Sequence, residues 1–117
     1  MILKLCFIAI TLLANSLCYA EATQQLSGQN VLVLYKQNDR HSQQIADYYS
    51  EKRKVPEHQV VGVDINGSSS NLNQQQFERI IAQLKPNLTP NIKVILLTWH
   101  APYRVECMSI TSAFALG

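Results

Sequence analysis

His100 and Cys107 stand seven residues apart, and they are the residue types of a cysteine hydrolase. In such a site an imidazole takes the thiol proton and the thiolate attacks an acyl carbon. The chemistry-bearing side chains of the chain fall into three sets. The first is Asn38, Asp39, Arg40 and His41; the second is Asp64 with Asn66; the third is His100, Arg104, Glu106 and Cys107. The catalytic candidates drawn from them are Asp39, Asp64, His100, Arg104 and Cys107. Each also has an ordinary structural role open to it. Asp39 can cap a helix, Asp64 can end a strand, and Arg104 can pair with Glu106 at the surface.

Two further chemistries are weaker still. Asp39, His41, Asp64 and His100 are metal-ligand types, but the chain has no His-x-x-x-His or Cys-x-x-Cys spacing, so no metal is expected. Residues 37–42 contain no glycine, which removes the phosphate-cradling turn of a dinucleotide site. No cofactor is expected. Some secreted cysteine peptidases with a parallel sheet set His and Cys after adjacent strands, whereas here both follow one predicted strand.

The amino terminus reads as a secretory leader. Lys4 supplies a positive charge, Leu5 to Leu13 is apolar apart from Thr11, and Cys18-Tyr19-Ala20 ends the stretch with small residues at the −3 and −1 positions. The apolar run is shorter than the roughly 20 residues of a membrane span, so cleavage after Ala20 is expected. The mature chain is then exported, periplasmic or extracellular, with no stable membrane span. Cleavage takes Cys6, Cys18 and Lys4 with it. Ten Lys+Arg become nine against eight Asp+Glu, a balance that predicts no attraction to nucleic acid. The remaining Cys107 could be buried and inert, pair with another chain, pair with a cysteine outside this segment, or act as a nucleophile. Inert burial and pairing outside the segment are the leading readings.

The elements that must position these groups alternate. Residues 21–29 are polar and read as a flexible lead-in. Val31-Leu32-Val33-Leu34-Tyr35 is a continuous apolar run, the pattern of a buried strand. Asp39 or Ser42 then opens a helix in which Ile45, Tyr48, Tyr49 and Lys52 recur at helical spacing beside Ala46, predicting a sheet-facing stripe. Val55-Pro56 ends that helix. Val60 to Asp64 predicts a second strand, and Gly67 to Ser70 a polar loop. Asn71 or Asn73 opens a second helix, with Phe77, Ile80, Ile81 and Leu84 at i, i+3, i+4 and i+7. Val94 to Thr98 is a third buried strand, and residues 109–117 begin another helix. Buried strands alternating with amphipathic helices imply a parallel sheet with right-handed crossovers.

Several of these blocks, in this order, resemble a family of uncharacterised bacterial proteins that carry signal peptides. The blocks are Val31 to Tyr35, Ile45-Ala46-Asp47-Tyr48-Tyr49, Lys52-Arg53-Lys54-Val55-Pro56, Phe77-Glu78, Leu97-Thr98 and Pro102-Tyr103-Arg104. The resemblance covers nearly all of residues 30–117. It implies a longer protein and brings no established activity or cofactor. This chain departs from it at Trp99-His100, where members carry Lys-Gly, and at Ser109 to Ala113, where members are acidic.

The fold class expected is therefore α/β, a partial doubly wound (Rossmann-like) parallel sheet in the order β-α-β-α-β. Residues 1–20 are the leader, 21–29 the lead-in, and 30–117 the N-terminal part of a larger α/β domain, because a three-stranded parallel sheet leaves both edges bare. The expected function is that of a non-catalytic envelope or binding domain. The alternative is a fragment of a hydrolase-like enzyme, cysteine-peptidase-like or metal-assisted, with its site at the strand carboxyl ends.

Overall fold

In the computed structural model, residues 25–66 and 70–117 are described. The leader expected at residues 1–20, and Gly67 to Ser69 of the polar loop, lie outside them. The fold is mixed α/β around a three-stranded parallel sheet. Strand β1 (Val31–Lys36) lies at the centre, with β2 (Val60–Val63) on one side and β4 (Val94–Leu97) on the other. Both pairings are parallel: Val33 stands beside Val60, and Val31 beside Val94.

The strands were legible because both faces of the sheet are covered, so every residue of β1 meets apolar surface. The period of two still sorts them. Val31 and Val33 face helix α1 (Arg40–Arg53) together with Ala46 and Val55. Leu32 and Leu34 face helix α2 (Gln74–Leu84) together with Phe77, Ile80 and Leu84. Each of those three α2 side chains is at most 6% exposed, and burying each stabilises the fold by roughly 2 kcal/mol. Asn73 opens α2 with a reciprocal cap. Its side chain accepts from the Gln76 N–H at 2.8 Å, and the Gln76 side chain accepts from the Asn73 N–H at 2.9 Å. Asn71 belongs instead to a short strand.

The buried stripe of α1 differs from the expected one. Ile45 is 53% exposed and Tyr48 66% exposed, while Ser42 and Ala46 are buried and Tyr49 packs at the margin. Helix α1 reaches β1 and β2 through small residues because it lies close on them. The larger Ile45 and Tyr48 are turned outward, where Lys52 Nζ sits 5.6 Å from the Tyr48 ring centre. The described end of the lead-in is also more ordered than its composition suggests. Gly28–Asn30 forms a 3-10 turn capped by Ser27, and the buried Gln59 amide pins it by donating to the Val31 carbonyl at 2.6 Å.

A second small sheet was not anticipated. Strand β3 (Asn71–Leu72) runs parallel to β5 (Arg104–Val105), which pairs antiparallel with β6 (Met108–Ser109). Each strand is two residues long, too short for any periodicity to show. Helix α3 (Ile110–Leu116) follows directly, opened by Ser109, whose hydroxyl accepts from the Ser112 N–H at 3.1 Å. Phe114 meets Phe77 edge to face with ring centres 5.1 Å apart, joining α3 to α2.

Candidate functional site

The strand order β2-β1-β4 places the second strand and the third on opposite sides of the first. The connections therefore diverge from the carboxyl ends of β1 and β4. In open parallel sheets that divergence opens a crevice, and ligands bind there. The candidate site is built from what these two ends carry.

After β1 the chain turns through Gln37 and Asn38, the latter at φ 63°. Asparagine tolerates that left-handed backbone better than most residues. Asp39 is next, and its carboxylate accepts from the Ser42 N–H at 3.1 Å, capping α1. Ser42, in the first turn, points into the protein. Its hydroxyl accepts from the Lys36 N–H at 2.9 Å and lies 3.0 Å from the Thr98 hydroxyl at the end of β4. Thr98 Oγ1 in turn reaches the Ser42 carbonyl at 2.9 Å and the Leu34 carbonyl at 3.1 Å. The protons count out. Ser42 donates to Thr98, and Thr98 shares its proton between the two carbonyls. The Lys36 N–H lies beyond the last rung to β4, the Thr98 N–H to Leu34 carbonyl bond at 3.0 Å, so the serine satisfies a donor the ladder leaves over.

The floor of the crevice is thus a closed, buried hydroxyl pair that ties α1 to β4. The rim is polar. Lys36 Nζ donates to the Ala101 carbonyl at 3.4 Å, and Trp99 Nε1 donates to the Pro102 carbonyl at 2.9 Å. Arg40, His41 and His100 are exposed. A ligand phosphate would find the Ser42 N–H in the first turn of α1 already taken by Asp39, and a carboxylate beside it. This agrees with the missing glycine-rich turn.

The candidates divide differently from their order in the sequence: Arg40 and His41 share the crevice rim with His100, while Asp64 and Arg104 to Cys107 sit on other elements. Asp64 lies beyond the end of β2, on the far side of β1 from His100, and neighbouring strands stand about 4.8 Å apart. There its backbone is clasped by Gln83, whose amide accepts from the Asp64 N–H at 3.0 Å and donates to the Asp64 carbonyl at 3.3 Å. With Asn66, Gln76 and Arg79 it lines a polar hollow of about 130 Å³. Arg104 does not pair with the Glu106 carboxylate. Its Nη2 donates to the Glu106 carbonyl at 3.4 Å, while Glu106 Oε1 accepts from the Gln74 N–H at 2.9 Å, an anion at the start of α2. Glu106 and Cys107 form the loop of the β5–β6 hairpin, with Glu106 at φ 51°.

Cys107 is exposed and free, which removes inert burial from the readings open to it. The hairpin is so short that its loop residue has nothing to pack beneath. No hydrogen bond joins it to His100. Among the described residues, no group of three His, Cys, Asp or Glu side chains is placed to hold a metal ion. No helix among them is long and apolar enough to cross a membrane. Comparison with family models, curated proteins and solved structures finds no match to this chain.

The residues missed by sequence reasoning are Ser42 and Thr98. A signal was available. Ser42 and Ala46 stand at i and i+4, and Thr98 is the one hydroxyl closing an otherwise apolar strand.

Proposed function

We propose that this chain is an exported α/β binding domain, kin to the signal-peptide-bearing bacterial family it resembles, and that the carboxyl ends of its strands serve architecture and recognition rather than catalysis. One observation carries the reading. At the switch point the polar groups are consumed by a buried hydroxyl network, and the residues of catalytic type are given to helix caps or spread along separate loops. Acid–base or nucleophilic work requires a base within hydrogen-bond reach of the group it activates. The rim that remains, with Lys36, Arg40, His41 and His100 around exposed backbone, suits recognition of a polar partner.

The exposure of Cys107 keeps a second reading open, a fragment of a cysteine hydrolase with His100 as base. Alkylation separates the two. The rate of carbamidomethylation of Cys107 is measured in the folded chain, in the urea-unfolded chain, and in a His100→Ala variant. The binding-domain reading expects the folded rate to stay within about threefold of the unfolded rate and to be indifferent to His100. A folded rate enhanced by about 100-fold, and lost in His100→Ala, would establish the hydrolase reading instead.

A further inference from the structure

The hollow of about 130 Å³ at the carboxyl end of β2 stands apart from the crevice. Its floor is firm, because Ile65, Leu72 and Ile80 line it and all three belong to the buried core. Its frame is held on both sides. The Gln83 amide clasps both backbone groups of Asp64, and Gln76 is fixed by the reciprocal cap of α2. The two walls differ in polarity. The chain leaving β2 offers acceptors. The Asp64 carboxylate receives a bond from Asn66 Nδ2 at 3.4 Å, and the Asn66 side-chain oxygen is left to accept. Helix α2 offers donors from Gln76 and Arg79, three residues apart on one face. Gln76 spends its oxygen in the cap, which leaves its NH2 to donate. The Arg79 guanidinium has no hydrogen-bond or ion-pair partner among the described residues. Asp64 and Arg79 therefore line one hollow without pairing with each other.

We propose that this hollow binds a small α-amino acid as its zwitterion. The ammonium group donates to the Asp64 carboxylate and to the Asn66 oxygen. The carboxylate lies against α2, where the Arg79 guanidinium can take both its oxygens in a fork and Gln76 adds a further donor. A ligand with a single charge is served by one wall only. An anion would meet the Asp64 carboxylate, and a cation would meet Arg79. The volume equals the share of about four water molecules in the liquid, which suits glycine or alanine rather than a longer side chain. The position accords with the general siting of ligands outside the carboxyl ends of parallel strands. The hollow lies across β1 from the crevice rim, so an empty hollow would leave the reading of that rim standing.

Titration of the 15N-labelled full chain with glycine and with L-alanine, followed by NMR, tests this. Saturable binding with a Kd below about 1 mM is expected, with the shifts centred on the Asp64 N–H and the Gln83 side-chain amide. Acetate and methylammonium carry one charge each and are expected to bind at least about 10-fold more weakly. Arg79→Gln and Asp64→Asn are each expected to weaken glycine by about 10-fold or more. Both side chains are exposed, so these variants keep the fold, and unchanged spectra away from the hollow verify that. Arg79→Lys keeps the charge without the fork and is expected to fall between wild type and Arg79→Gln. An absence of saturation up to about 10 mM overturns the proposal. So does acetate binding as well as glycine, the mark of an anion held by Arg79 alone. An affinity unchanged in Arg79→Gln or in Asp64→Asn overturns it too.

Discussion

At the scale of single residues, the buried pair of Ser42 and Thr98 is the feature on which the candidate site turns. Ser42→Ala leaves the Lys36 N–H buried without an acceptor, a loss of about 1–3 kcal/mol. Thr98→Val leaves the Ser42 proton without one, a loss of about 1–2 kcal/mol. Because the two hydroxyls meet at 3.0 Å, the double variant should lose less than the sum, by about 1 kcal/mol. Urea unfolding of the four chains measures this, and strict additivity would contradict a shared network. The sequence signal for this pair is easily overridden, for a physical reason. A serine in the first turn of a helix reads as a cap, and only the close approach of α1 to the sheet turns it inward. Asp39, by contrast, was legible as a cap because capping is local. Glu106 was not, since its partner Gln74 is distant in the chain.

At the scale of elements, two glycines show how the pieces are fitted. A Cβ on Gly28 would fall on the backbone carbonyls of Arg53 and Lys54, where α1 ends. Backbone cannot step aside, so Gly28→Ala should lower stability by about 2 kcal/mol. A Cβ on Gly62 would come 2.7 Å from the Tyr35 ring. Tyr35 is only partly buried, and its ring can swing away, so Gly62→Ala should lower stability by less, about 1 kcal/mol. Thermal or urea denaturation ranks the two, and the reverse order would refute this account of the contacts. The three strands and their parallel order were readable because fully covered strands leave continuous apolar runs. Helix α2 was readable because its stripe is wide and long-chained. Helix α1 misled because two periodic readings compete on it. The larger side chains, Ile45 and Tyr48, form the more conspicuous stripe, yet the smaller Ser42 and Ala46 allow the closer approach. The β5–β6 hairpin was illegible because its strands are only two residues long, and β3 because its partner β5 lies far along the chain.

At the scale of the whole molecule, the protein is a nearly neutral α/β unit whose described residues hold a single cysteine, Cys107, free of any disulfide. Among the described residues it holds two small sheets, the main one in the order β2-β1-β4 and a second in the order β3-β5-β6. The proposed export rests on the leader expected at residues 1–20, whose cleavage would remove Cys6 and Cys18 and leave Cys107 as the sole thiol of the mature chain. The measurement that tests this most directly is fractionation of cells expressing the chain with its own leader, followed by intact mass of the recovered protein. The account predicts a species outside the cytoplasm whose amino terminus is Glu21. A species retained in the cytoplasm with residues 1–20 still attached would contradict it.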